Sequence, residues 1–154
     1  MLVFLSDVHL TDGSSGETIK PAAFRLFADN LIKLAESVNP LEEIHLVLLG
    51  DIFDVIRSTK WLNTSSRPWD EAGTVQQAVV DEIVAGIISN NSGSLSAFDT
   101  LRDYAAEKGK QFSITYITGN HDWLINRYAS SRHLVADALK LPGNGVDLFP
   151  QELF

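Results

Sequence analysis

The sequence contains no cysteine, which excludes disulfides and thiolate metal sites and fits a reducing compartment. It has no apolar run near the roughly 20 residues that a membrane-spanning helix requires. The short apolar stretch at residues 2–5 also lacks the basic flank of a signal peptide. A cytoplasmic, non-membrane protein is expected. Positive charge is scarce: 12 Lys and Arg stand against 20 Asp and Glu, a formal net charge of -8. Affinity for a phosphate backbone comes from clustered Lys and Arg, so general nucleic-acid binding is not expected. Internal repeats, low-complexity segments and an interdomain linker are missing as well.

What is there is enough for one core. The chain has 154 residues, of which 45% are hydrophobic and 21% charged, the profile of a single globular domain. Three apolar runs stand out, at 2–5, 44–49 and 112–117, and helical sequence separates each from the next. Runs of this kind read as parallel strands buried on both faces. Each run stops at a polar cluster: Ser6-Asp7-Val8-His9, Gly50-Asp51-Ile52-Phe53-Asp54 and Thr118-Gly119-Asn120-His121-Asp122. In open α/β sheets the ligand crevice lies beyond the carboxyl ends of the strands, so Asp7, His9, Asp51, Asn120 and His121 can converge there. Carboxylate, amide and imidazole donors suit a hard or borderline divalent metal.

The blocks Asp7-Val8-His9, Gly50-Asp51 and Gly119-Asn120-His121-Asp122, in this order and each directly after a strand, resemble the first three motifs of the calcineurin-like metallophosphoesterases. The resemblance runs from residue 2 to about Asp122. It implies a β-sandwich flanked by helices, of which this chain would supply the first, mainly parallel half as a single domain incomplete at its C-terminus. It also implies two divalent ions (Mn, Fe, Zn or Mg, with Mn favoured), Asp51 bridging both, Asp7 and His9 on the first and Asn120 on the second. The substrate would be a phosphate ester, cleaved by a hydroxide that the metals activate. His121 would contact the phosphoryl group or protonate the leaving group, and Asp122 would hold the His121 ring in one tautomer. The family's later Gly-His and Gly-His-x-His motifs, which complete its metal site, do not occur in this sequence. Poor or no hydrolysis of an aryl phosphodiester by residues 1–154 alone, even with Mn²⁺, is therefore expected, and the alternative is a non-catalytic metal-binding or interaction module of the same derivation. The segment from Gly119 to Leu124 is similar to the UDP-2,3-diacylglucosamine hydrolase branch but departs from it at His121, where that branch carries arginine. The substrate stays open.

Each block has a plainer reading. An Asp at a strand end is commonly a helix N-cap, and only the joint occurrence of the three blocks outweighs that. Asp54 is either a partner of the site residues or simply solvated. His45 and His133 match no motif and read as structural or surface residues. Trp61 and Trp69, in an irregular stretch at 57–69, fit packing of that insertion better than the lining of a pocket.

Between the blocks, Pro21 opens a helix with Phe24, Phe27, Leu31, Leu34, Ala35 and Val38 on one face. Further helices are expected at 75–88, from a Ser96 cap with Asp99 three residues on, at 123–128 and at 132–141. The residues 146–154 read as a strand or a pairing tail. A half-sandwich leaves one sheet face bare, so self-association, as a two-fold dimer or by exchange of the tail, is expected.

Overall fold

In the computed structural model, which describes residues 1–16, 19–38 and 40–141, the three apolar runs are extended: β1 (Leu2–Leu5), β2 (Glu43–Leu49) and β3 (Gln111–Ile117). They form one parallel sheet with β2 in the centre. Register pairs Phe4 with Val47 and Leu5 with Leu48 on one side of β2, and Leu48 with Tyr116 on the other. Parallel neighbours need crossovers. These are α1 (Pro21–Ser37) between β1 and β2, and α2 (Thr74–Asn90) with α3 (Ser92–Glu107) between β2 and β3. After β3 come α4 (Trp123–Arg127) and α5 (Ala129–Leu139). The architecture is thus α/β, a small parallel three-stranded sheet flanked by helices.

The two sheet faces differ. Ile44, Leu46, Leu48, Ile114 and Tyr116 share one face and join the main core with Phe24, Leu31, Ile83, Ile87 and Leu101. The opposite face, set by alternation and register, is half open: Leu2, Phe4 and Leu49 are 57%, 59% and 45% exposed. The expectation that the strands are buried on both faces therefore fails: on this face no residue of β1 or β3 is buried and only Val47 of β2 is. Polar pairs finish this face, with His45 Nε2 2.8 Å from Thr115 Oγ1 and Ser113 Oγ donating to Glu43 Oε1. His45 is structural, as expected.

Helix α1 begins at Pro21, but its buried stripe is Phe24, Ala28, Leu31 and Ala35. Leu34 and Val38, expected on that face, are exposed. Helix α3 begins four residues before Ser96, so the cap reading of Ser96 is corrected. Its hydroxyl donates back to the Gly93 carbonyl from inside the first turns, while Asp99 pairs with Arg102 and Lys140. The reason lies at Asn91, whose buried side-chain amide donates to the Ile87 and Thr11 carbonyls at 2.8 Å each. This amide closes α2 and ties down the loop after β1, so a single residue separates two helices where a longer break was expected. The stretch at 57–69 contains a 3-10 helix, Thr59–Asn63. Trp61 is buried and donates to the Val55 carbonyl, as the packing reading requires. Trp69, at 77% exposure, does not follow it. The residues 146–154 lie outside the described residues. Among the described residues no helix is long and apolar enough to cross a membrane.

Ser94 is fully buried in α3 and its hydroxyl has no hydrogen-bond partner among the described residues. A buried unsatisfied hydroxyl costs about 1–3 kcal/mol. Ser94→Ala is expected to leave stability unchanged or raise it by about 1 kcal/mol, read from urea denaturation midpoints at constant slope.

Candidate metal centre

Beyond the last residues of the strands the backbone stays paired. His9 N donates to the Asp51 carbonyl and Leu10 N to the Ile52 carbonyl, both at 2.8 Å, and Asp54 N returns to the Leu10 carbonyl at 2.8 Å. The loops after β1 and β2 are thereby zipped together. The loop after β3 joins them through Val55 N, which donates to the His121 carbonyl at 3.1 Å, and through His121 N, which donates to Asp51 Oδ1 at 2.8 Å. Two glycines permit this approach. A Cβ on Gly50 would sit 2.7 Å from Gly119 Cα, and one on Gly119 would sit 2.4 Å from Asp51 Oδ1. No side chain fits between the two loops.

The same three loops hold unusual backbone. Asp7, His9 and Asp51 have φ of 54°, 53° and 54°, in the left-handed region that non-glycine residues seldom enter. Apart from Lys140, which ends α5, these are the only non-glycine residues with positive φ among those described. Strain of this kind persists only where the surroundings over-determine it, and it gathers at functional sites.

The side chains then converge. His9, Asp51 and His121 each offer a ligand atom within 4.8 Å of the other two. The two imidazoles meet edge to face with ring centroids 4.6 Å apart. Beneath them lies Asp54, 1% exposed. Its Oδ2 is 3.1 Å from His9 Nδ1, and its Oδ1 is 3.0 Å from His121 Nδ1. Arg57 also donates to it, from its main-chain N–H and its guanidinium. Burial pushes the Asp54 carboxyl up, but hydrogen bonds and positive charge from His121 and Arg57 outweigh this and hold it below the usual carboxylate value. Asp54 is therefore ionised at neutral pH and can only accept. Each imidazole therefore carries a proton on the Nδ1 that faces Asp54, which leaves Nε2 as the nitrogen through which the neutral ring binds a metal.

The residues singled out in the sequence separate into two groups. His9, Asp51 and His121 come together. Asp7 is exposed and is not a member of their cluster, and Asn120 is exposed on the loop between Gly119 and His121. Asp122 does not hold the His121 ring. It is fully buried and accepts from Ile52 N, Gly119 N and the Tyr116 hydroxyl, so it fastens the β3 loop to the β2 loop. Burial raises its carboxyl above the ordinary value against these hydrogen bonds. Burial, with the Asp122 charge, also raises the Tyr116 phenol, which stays a donor. The ring-holding role belongs to Asp54, and the solvated reading of that residue is excluded. Arg57 is a site residue that no motif in the sequence points to. The signal for both was a carboxylate inside the apolar run Ile52-Phe53-Asp54-Val55-Ile56, which burial makes costly unless basic partners are at hand. His133 lies on α5 and is not a member of the cluster.

Comparison with protein-family models, curated proteins and solved structures gives no match for this chain.

Two outcomes follow from this geometry. Gly119→Ala is expected to lower stability by about 1–3 kcal/mol, as overpacking does, and to abolish divalent-metal binding, because the new methyl displaces Asp51; denaturant titration and calorimetry read the two effects. Asp54→Asn should weaken metal binding about 10–100-fold, the usual effect of losing the partner that orients a ligand histidine, while circular dichroism shows the fold retained.

Proposed function

We propose that this chain serves a metal-dependent phosphoesterase, hydrolysing a phosphomonoester, phosphodiester or pyrophosphate. The observation that carries the reading is the convergence of His9, Asp51 and His121 at three strand ends, with both rings held by one buried carboxylate. Taken with the three motif blocks, it supports membership of the calcineurin-like metallophosphoesterases. The sheet is read as the first half of that family's sandwich, and the half-open face bearing Leu2, Phe4 and Leu49 supports this.

The donor set fits one divalent cation, held by imidazole nitrogens and a carboxylate oxygen. It does not supply a second: Asp51 and Asn120 alone are too few for tight binding. Bound there, a divalent cation supplies Lewis acidity at a phosphoryl oxygen and at the attacking water. The chain's own residues do the positioning. His121 N orients Asp51, Asp54 fixes both histidine tautomers, and Arg57 balances the Asp54 charge while keeping half its side chain exposed beside the site. This guanidinium and a bound cation give an anionic ester a local attraction on an otherwise acidic protein.

A second reading, a non-catalytic metal-binding module, is favoured by one observation: His9, Asp51 and His121 form the one group of three or more His, Cys, Asp or Glu side chains among the described residues that could hold a cation. Hydrolysis of an aryl phosphate and an aryl phosphodiester, with and without Mn²⁺, separates the two. Slow, metal-dependent turnover reduced at least about 100-fold in Asp51→Asn is the expected result. Tight metal binding with no turnover on either ester would leave the module.

A further inference from the structure

One guanidinium meets the carboxylate that holds both imidazoles. Nε and Nη2 of Arg57 reach Asp54 Oδ2, and the Arg57 main-chain N donates to Asp54 Oδ1 at 3.3 Å. The same Oδ2 lies 3.1 Å from His9 Nδ1, so a single carboxylate oxygen separates the guanidinium from the His9 ring. The Asp54 side chain is wholly buried, whereas that of Arg57 is 50% exposed. A guanidinium carries five N–H donors. Both N–H bonds on Arg57 Nη1 and one on Nη2 find no acceptor among the described residues. The other arginines engaged by the fold differ in this respect. Arg67, Arg102, Arg127 and Arg132 each spend Nη1 on a protein oxygen. Balancing the charge of Asp54 explains the inner edge of Arg57 and leaves the outer edge without a task.

We propose that the outer fork of Arg57 recognises a terminal phosphate, so that the site selects a phosphomonoester over a phosphodiester. The inference rests on the phosphoesterase reading in taking the substrate for a phosphate ester bound at the strand ends. A planar guanidinium takes two phosphate oxygens side by side, and a cation on the neighbouring donors takes at least one more. A phosphomonoester has three non-bridging oxygens and meets both demands without sharing one. A phosphodiester has two and leaves either the fork or the cation short. Because Asp54 already fixes the inner edge, little side-chain freedom remains to be lost when the outer edge is filled.

Methylphosphonate and dimethyl phosphate, unreactive anions with three and two such oxygens, are titrated calorimetrically into protein carrying Zn²⁺. Methylphosphonate is expected to bind at least about 10-fold more tightly. Arg57→Gln should weaken methylphosphonate by about 10–100-fold, the worth of hydrogen bonds to a charged group, and dimethyl phosphate by less than about 2-fold. Arg57→Lys keeps the charge and loses the fork, so it should recover little of the difference. Nitrogen-15 spectra of the wild type give a readout that no variant's misfolding can obscure: methylphosphonate should shift the Arg57 Nη resonances and dimethyl phosphate should not. Equal affinity for the two anions, full recovery in Arg57→Lys, or Arg57 resonances unmoved by methylphosphonate would each overturn the proposal. The phosphoesterase reading is scored separately, by turnover. Selective binding of methylphosphonate through Arg57 without hydrolysis of either aryl ester keeps this inference and removes that reading. Hydrolysis of both esters at rates that Arg57→Gln leaves unchanged does the reverse.

Discussion

The Asp54 carboxylate is the interaction on which this end of the molecule depends. A buried charge is tolerated only when it is paired and hydrogen-bonded, and here the partners come from all three loops: His9 after β1, Arg57 further along the β2 loop and His121 after β3. Satisfying one carboxylate therefore fixes the relative positions of three segments that are remote in sequence. The main-chain zipper from His9 to Asp54 and the Gly50–Gly119 contact hold the same loops from below. Side-chain and main-chain restraints thus reinforce one another, which is how strained backbone at Asp7, His9 and Asp51 can be kept.

Asp54 and Asp122 show how two buried carboxylates can take opposite tasks. Asp54 faces basic groups and stays charged, so it orients imidazoles. Asp122 faces amides and a phenol, which hold it in place but carry no charge to offset its burial. One acid serves the site and the other serves the loop beneath it. Neighbouring positions in a motif do not reveal which is which, because the difference is made by how the three loops meet in space.

The three strands could be read from composition because each is a short run rich in apolar and β-branched residues that stops at a polar cluster, and the strand ends identified the region of the candidate site. Helix positions were readable where a strong punctuator stood, as at Pro21. The stretch 89–96 is deceptive, because serine and glycine usually break helices and nothing local reveals that the Asn91 amide reaches across to Thr11. Likewise the strands look doubly buried in the sequence, since an apolar run reads the same whether one sheet face or both are covered. Within the site, residue types were legible but roles were not. That Asp54 rather than Asp122 meets the rings is a matter of tertiary geometry.

The left-handed residues carry a consequence for anyone altering this protein. Glycine would relax the backbone at positions 7, 9 and 51, where each non-glycine residue stores strain of about 1–3 kcal/mol. A selection for thermal resistance alone would drift toward glycine at these places and strip out His9 and Asp51 together. Robustness and chemistry pull the same codons in opposite directions, so a hardened version of this fold would be expected to lose its donors first.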